Sequence, residues 1–206
     1  MTPEYELISQ SLLNSQIPQS WCKISYLTCK SLLPYVVDLQ RRVRFFDDWV
    51  ENGRPASFWL PGFYFAQAFL TATLQEYSRT KKVPIDTLKF AVSVLEAVPN
   101  SAPEQGSYIC GLFLEGACWF EGELVEAKDN ELFVEFPVIW LNPVVQGPGL
   151  PYLHYNCPVY RTVNRAGIVS TTGHSSNFLL SLELKCTINE KHWVQRGTAL
   201  LTQTTD

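Results

Sequence analysis

The stretch AFLTATLQEYSRTKKVPIDTLKFAVSVLEAV, residues 68–98, decides the fold, because the spacing of its apolar residues changes near residues 80–86. Before the change, the segment predicts a helix that ends in basic residues, as a helix C-terminus favours. After Pro84, apolar residues alternate with small or polar ones, which is typical of a strand. These apolar residues are Leu88, Phe90, Val92 and Val94. The chain is therefore predicted to be helical first and β-structured afterwards.

Two further helices are predicted before this change. Residues 3–15, PEYELISQSLLNS, have the pattern of a short amphipathic helix. Residues 31–53 predict a longer one, with Ser31 as N-cap, Pro34 in the first turn and Gly53 at the end.

The longer helix is predicted to have an apolar face and a charged remainder. Steps of three and four residues place its apolar side chains on one side. This predicted face contains Leu32, Tyr35, Val36, Leu39, Val43, Phe46 and Val50. The charged side chains lie elsewhere on the helix, where we expect water to reach them. They are Arg41, Arg42, Asp47 and Asp48.

Residues 55–75, PASFWLPGFYFAQAFLTATLQ, carry no charge and are long enough to span a bilayer. Pro61 and Gly62 interrupt the run, however, and Gln67 and several hydroxyl groups lie within it. We therefore predict a buried helix-turn-helix segment and no membrane span.

The second part of the sequence carries several more strand candidates, separated by turn-rich pieces. They are residues 107–116, 132–141, 156–163, 177–186 and 192–203. Short connections predict an antiparallel sheet, with a barrel as a possible curled form. Residues 121–131 are predicted to form a short helix or loop at its edge. The fold class is therefore α+β, with a helical subdomain over 1–85 and a β subdomain over 86–206.

Composition favours a domain that docks on something larger. Charged residues make up 17% of the 206 residues, below the roughly 25% usual in soluble domains, while 13% are aromatic. Such a protein has few charges to cover its surface, and exposed apolar patches usually mark contact sites. The net charge of −4 argues against a nucleic-acid partner, which needs clustered Lys and Arg.

The six cysteines favour reduced, mostly buried thiols over disulfides, because the acidic N-terminus lacks the apolar core of a secretory signal. A zinc site is disfavoured, since the only tight ligand spacing is His154 with Cys157. A structural zinc site needs four ligands, typically in two such pairs. We therefore expect no bound metal in this protein.

Residues 170–178, STTGHSSNF, place His174 among hydroxyl residues and raise the possibility of a catalytic loop. His174 and Ser175 are adjacent, however, and neighbours on an extended backbone point to opposite sides. The nucleophile motif G-x-S-x-G is absent. A connecting loop in which Gly173 takes a positive φ is the favoured interpretation.

Other chemistry also lacks a motif in this sequence. Neither of the glycine-rich nucleotide-binding patterns occurs, and no cofactor is expected. Glu115 lies in the apolar segment GLFLEGACW, where burial can raise a carboxyl pKa. A salt bridge is the favoured interpretation, with Arg161, Arg165 or Arg196 as partner. No catalytic set is predicted.

Several segments in order carry a family resemblance. They are SFWLPGFYFAQAFLTATLQEYSR, PIDTLKF, GLFLEGACW, FPVIWLNP, YNCPVYRT, STTGHSSNF and HWVQRGTALL. Together they resemble the C-terminal domain of dynein heavy chains over nearly the whole sequence. CPVYRT at 157–162, followed by STTGHSSNF, is similar to the axonemal branch.

The resemblance implies a helical part followed by an incomplete antiparallel β-barrel. It also implies a non-catalytic domain that lies across a ring of six AAA+ ATPase modules of the same polypeptide and tunes motor output. Intermediate and light chains would be indirect partners in a microtubule motor complex of the cytoplasm and ciliary or flagellar axoneme. ATP and Mg²⁺ would belong to the parent motor, and neither nucleic acid nor membrane is expected.

Two positions depart from the family pattern. Ala66 stands where proline is usual, which suggests a different helix start. Cys118 stands where arginine is usual, which removes one expected partner of Glu115 and weakens the salt-bridge interpretation.

Aromatic residues are the main candidates for core anchors or docking contacts. The candidates, together with the loop histidine, are Trp59, Phe63, Tyr64, Phe65, Trp119, Trp140, His174 and Trp193. Two other functions stay open: a small hydrolase using His174 with a distant serine and carboxylate, and a free-standing β-barrel adaptor.

Overall fold

The computed structural model describes residues 2–147, 151–167 and 176–205. Its helices are α1 (Pro3–Leu13), α2 (Gln19–Cys22), α3 (Leu32–Asn52), α4 (Ala66–Lys81) and α5 (Glu190–Arg196). Its strands are β1 (Ser57–Trp59), β2 (Leu88–Leu95), β3 (Ser107–Cys110), β4 (Phe113–Glu115), β5 (Cys118–Phe120), β6 (Glu123–Val125), β7 (Phe133–Glu135), β8 (Val138–Val145), β9 (His154–Tyr160), β10 (Phe178–Lys185) and β11 (Ala199–Leu201). The α+β class is therefore confirmed.

The predicted ends of α3 are confirmed. Ser31 is the N-cap residue with extended backbone, although its side chain makes no capping hydrogen bond. Gly53 follows the last turn with φ of 84°, a value that glycine adopts without the steric strain other residues meet. Its backbone N–H donates to the carbonyl of Trp49, which closes the helix.

The charge-free run 55–75 is not a helix-turn-helix, so that prediction is wrong. It forms β1, a 3-10 turn over Leu60–Gly62 and the first part of α4. β1 pairs in parallel with β3, with Ser57 opposite Tyr108. Sheet pairing with a distant strand therefore overrides the local pattern. Among the described residues, no helix has the length and apolarity to cross a membrane.

The first sheet has the strand order β1-β3-β8-β2. Its β2 and β8 pair antiparallel along their whole length, from Leu88 opposite Val145 to Leu95 opposite Val138. The second sheet has the order β10-β9-β11-β4-β7, and β5 and β6 form a separate hairpin. β11 runs parallel to β9, since α5 returns the backbone before β11 begins. The prediction of purely antiparallel strands is therefore wrong, and both larger sheets are mixed.

Two bends lead the backbone from one sheet into the other. β3 and β4 are separated by Gly111 and Leu112, and β7 and β8 are separated by Phe136 and Pro137. At the opposite side, the Lys89 ammonium of β2 lies 3.1 Å from a Glu183 carboxylate oxygen of β10.

No closed barrel forms within the part of the protein that the structure describes. The incomplete barrel and the division at 85/86 stay predictions. β1, which belongs to the predicted helical subdomain, pairs with β3 across that division.

Two short elements differ from expectation. Residues 123–125, predicted as helix or loop, form β6 and pair with β5. The predicted strand 192–203 begins as α5 and becomes β11 only at Ala199. Asn189 caps α5 by accepting a hydrogen bond from the Lys191 backbone N–H, a local signal for a helix start.

The core lies between the two larger sheets and the inner faces of α4 and α5. Its fully buried large side chains include Leu60, Leu70, Ile109, Leu112, Leu114, Leu124, Ile139, Leu141, Leu182, Leu184, Trp193 and Leu200.

Candidate docking surface

An aromatic cluster joins α3, β1, the 3-10 turn and α4. The ring centroids of Phe45 and Phe63 are 5.8 Å apart, those of Trp49 and Phe58 are 5.1 Å apart, and those of Phe63 and Phe69 are 4.6 Å apart. Edge-to-face and stacked contacts at these distances stabilise beyond simple burial. The cluster therefore fixes the inner face of α3 on the rest of the domain.

Two glycines make room for the Trp59 ring within this packing. A Cβ atom at Gly62 would lie 2.7 Å from Trp59 Cε3, and one at Gly111 would overlap the indole ring. Gly111 also has φ of 84°. Gly62 in the 3-10 turn and Gly111 in the bend between β3 and β4 therefore let both segments pass close to the indole ring.

Arg42 is buried on the inner face of α3, with only 6% of its surface exposed, so the prediction that water reaches it is wrong. Its Nε atom donates to Asp38 Oδ2 at 2.7 Å. Its guanidinium carbon lies 3.6 Å from the ring centroid of Tyr26. A guanidinium has a flat, weakly hydrated face, so pairing and stacking together offset its removal from water.

The predicted apolar face of α3 packs at its N-terminal end, where Tyr35 is buried, but is exposed from Leu39 onwards. Leu39, Val43, Phe46 and Val50, hereafter the outer stripe, are exposed, with Val43 at 53% and Val50 at 85%. Their spacing of four, three and four residues keeps them within about 60° of the helix circumference. The packed side of α3, which carries Arg42, is adjacent to this stripe, and Phe46 lies at the boundary, with its ring centroid 5.9 Å from that of Phe63.

The outer stripe is accompanied by other exposed apolar residues at the helical end of the molecule. These are Tyr5, Leu7, Leu12, Leu13, Ile24, Leu27, Leu33, Val37, Tyr64 and Phe65. No residue of α1 is buried. Single exposed apolar residues are ordinary, whereas a contiguous exposed apolar patch usually indicates a contact site.

The structure separates the predicted aromatic candidates by burial. Trp59 and Trp193 belong to the core, and the Trp193 indole N–H donates to the Ile188 carbonyl at 3.3 Å. Phe63, Trp119 and Trp140 are partly buried. Tyr64 and Phe65 are exposed and in edge contact, with ring centroids 4.6 Å apart. His174 lies outside the described residues.

The Glu115 salt bridge forms despite Cys118. Its carboxylate accepts a hydrogen bond from Arg165 Nη2, so one of the predicted partners pairs with it.

Arg196 instead contacts Glu126 Oε1 at 3.3 Å, and the same oxygen lies 2.9 Å from His192 Nε2. These pairs tie α5 and the loop after β9 to the second sheet and the β5–β6 hairpin.

The cysteines are free thiols, but only Cys157 and Cys186 are buried, so the expectation of mostly buried thiols is wrong. Burial raises the pKa of the Cys157 thiol well above its usual range, which keeps it protonated and unreactive. Within the described ranges, no group of three or more metal-ligating side chains is present.

Comparison with known proteins identifies a family to which the sequence is similar. Residues 1–202 match the family described as the C-terminal domain of the dynein heavy chain. The protein belongs to this family. It is 42% identical to rat dynein axonemal heavy chain 1 over 98% of its length, and 43% identical to human dynein axonemal heavy chain 3 over 98%. It is also 41% identical to human dynein axonemal heavy chain 12 over its full length.

The sequence spans only 5–7% of the length of these dynein heavy chains. This dynein C-terminal domain therefore corresponds to a small part of a much longer polypeptide in its relatives. The identities to axonemal heavy chains confirm the resemblance to the axonemal branch. α4 begins at Ala66, the position where the family pattern usually has proline.

Sequence reasoning found the apolar residues of the outer stripe but not their exposure. The sequence feature that could have indicated this exposure is a second apolar side of α3, formed by Phe45 and Trp49 beside Arg42.

Proposed function

We propose that this protein is the non-catalytic C-terminal domain of an axonemal dynein heavy chain and docks on the AAA+ ring of the same polypeptide through the outer stripe. The domain braces neighbouring ring modules and thereby tunes motor output. The observation that carries the proposal is the exposure of Leu39, Val43, Phe46 and Val50 along one side of α3.

The energetics favour a covered stripe. Fully burying one Val, Leu or Phe side chain stabilises by about 1.5–3 kcal/mol. The stripe residues and the exposed apolar residues of α1 together represent several such contributions. A surface of this kind is more apolar than the rim of a transient contact, and it fits a permanent contact within one polypeptide.

The proposal includes a mechanical role for the two sheets. We propose that they act as one incomplete barrel, because the β3–β4 and β7–β8 segments each run through both sheets. Lys89 and Glu183 link the sheets at the opposite side. The aromatic cluster then connects this unit to α3, so that a displacement of the stripe is transmitted to the sheets.

The wider setting follows from the relatives. The parent polypeptide would hydrolyse ATP with Mg²⁺ at ring modules outside this domain. It would work on microtubules in the cytoskeleton of ciliary or flagellar axonemes, with intermediate and light chains as indirect partners. None of these steps uses His174, so hydrolase activity at this residue is not part of the proposed function.

The test is a pair of charge substitutions in the full heavy chain. Val43→Lys together with Val50→Lys places two ammonium groups in the proposed contact, where burying them unpaired is unfavourable. We expect changed microtubule gliding velocity and ATPase rate with the full polypeptide still folded. Val194→Lys is the matched control, since Val194 is an exposed valine on a different helix, α5.

The outcome distinguishes docking from a free surface. Changed velocity, force or ATPase rate in the double variant, with Val194→Lys unchanged, supports the proposal. Wild-type values for the double variant in all of these measurements would contradict it.

A further inference from the structure

A small cavity lies where three separate parts of the backbone meet. Its volume is about 20 Å³, and its lining includes Arg42 of α3, Arg161 directly after β9, and Gln203 after β11. Arg42 and Gln203 are each 6% exposed. The cavity therefore lies between α3 and the segments that follow β9 and β11.

Each of these three side chains has a buried polar atom without a hydrogen-bond partner among the described residues. The atoms are Arg42 Nη2, Arg161 Nε and Gln203 Oε1. Leaving such an atom unsatisfied costs about 1–3 kcal/mol. Three of them around one cavity indicate a shared partner.

The surrounding hydrogen bonds hold the side chains of Gln203 and Arg42 and the backbone at Arg161. Gln203 Nε2 donates to the Leu27 carbonyl at 3.0 Å, which leaves Oε1 as the amide atom without a partner. Arg42 Nε is held by Asp38 at 2.7 Å. The Arg161 carbonyl accepts from Thr202 Oγ1 at 2.9 Å, which keeps the C-terminal segment against Arg161.

The chemistry of the three atoms selects the partner. Two of them are N–H donors and the third is a carbonyl acceptor. A water molecule can accept from both N–H groups and donate one of its two O–H groups to Gln203 Oε1, and therefore satisfies all three. A halide would satisfy both guanidinium groups but would be repelled by Gln203 Oε1.

The size of the cavity agrees with this choice. A cavity needs about 10–15 Å³ to admit one water molecule, and buried waters typically make about three hydrogen bonds. The available volume of about 20 Å³ fits one water molecule.

We propose that one ordered water molecule binds Arg42, Arg161 and Gln203 and joins α3 to the C-terminal segment of the protein. This site links the helical end of the domain to the second sheet through a polar junction. The inference is independent of the docking proposal, because it concerns the interior of the domain alone.

The direct test is a high-resolution crystal structure of the protein, with a second crystal soaked in sodium bromide. Density for one water within hydrogen-bonding distance of the three atoms, with no anomalous bromide peak, is the expected result. A bromide peak at this position would overturn the proposal in favour of an anion site. A cavity without density would overturn it as well.

A solution test uses water-oxygen magnetic relaxation dispersion, which counts long-lived internal waters. Gln203→Met removes the acceptor, and we expect the loss of about one long-lived water. Gln195→Met, at an exposed position of α5, is the matched control and should lose none. An equal count in wild type and Gln203→Met would overturn the proposal. If Gln203→Met does not fold, the wild-type crystal decides.

Discussion

The guanidinium carbon of Arg42 lies 3.6 Å from the ring centroid of Tyr26, while Arg42 Nε donates to Asp38 Oδ2 at 2.7 Å. A cation is therefore held between a carboxylate and an aromatic face inside the domain. Removing one partner of a buried ion pair destabilises a protein by more than the intact pair stabilises it, because the remaining charge stays buried without compensation.

Asp38→Asn should therefore destabilise the domain by about 3 kcal/mol. Denaturant unfolding measures this loss as a lower midpoint with an unchanged slope. Asp47→Asn is the matched control, because Asp47 is exposed on the same helix, and its effect should stay within about 0.5 kcal/mol. Equal losses in the two variants would show that the buried pair has no special role.

Gly111→Ala should destabilise by about 2–4 kcal/mol, because it combines a positive φ with a Cβ that overlaps the Trp59 ring. Gly53→Ala isolates the two effects, since Gly53 has the same φ of 84° but no atom within 4 Å of the added Cβ. It should lose less than Gly111→Ala, about 1–3 kcal/mol, which is the cost of backbone strain alone, since φ of 84° with ψ of −174° is a conformation that glycine adopts far more readily than other residues. The same loss at both positions would mean that the indole ring moves aside freely.

Alkaline pH should destabilise the domain through Tyr155 and Cys157. Burial raises the pKa of both groups above their ordinary values of 10.0 and 9.0. The unfolded protein therefore releases these protons first, so the stabilisation is complete below pH 9 and is lost progressively as pH rises above 9 and 10 towards the raised pKa values of the folded protein.

Tyr155→Phe should reduce this loss. Each such proton contributes a slope of up to about 1.4 kcal/mol per pH unit above the ordinary pKa. The variant also loses the hydrogen bond from Tyr155 to the Thr198 carbonyl, which lowers its stability at pH 7 by about 1 kcal/mol. Unfolding free energies measured from pH 7 to 11 test both effects, and parallel curves for variant and wild type would refute the first.

The long elements could be predicted because their periodicity is strong. α1, α3 and β2 follow their apolar spacing, and Gly53 ends α3 as expected. The short elements could not. β1 exists because it pairs with β3, about fifty residues away in the sequence, and β6 exists because it pairs with β5. Local spacing over three residues does not distinguish a strand from a turn.

The side of α3 that packs could not be predicted either, for a physical reason. Periodicity identifies an apolar stripe, but it does not say whether the stripe contacts the same domain or another part of a longer polypeptide. The charge of Arg42 pointed to water, yet Asp38 and Tyr26 supply its partners inside the fold. Glu115 was the easier case, because its pairing with Arg165 needed only a nearby cation.

Substitutions in the outer stripe should have little effect on the free energy of unfolding of the domain. They should have a clear effect on its association with other surfaces. Val50→Lys should change the free energy of unfolding by no more than about 0.5 kcal/mol, because Val50 is 85% exposed. Leu114→Ala, at a fully buried position, should cost about 2–5 kcal/mol in the same assay. At raised concentration, Val50→Lys should also reduce the self-association of the isolated domain, measured by sedimentation velocity, because an ammonium group interrupts the apolar stripe. A Val50→Lys loss comparable to that of Leu114→Ala would place the stripe in the core of the domain and remove the basis for docking.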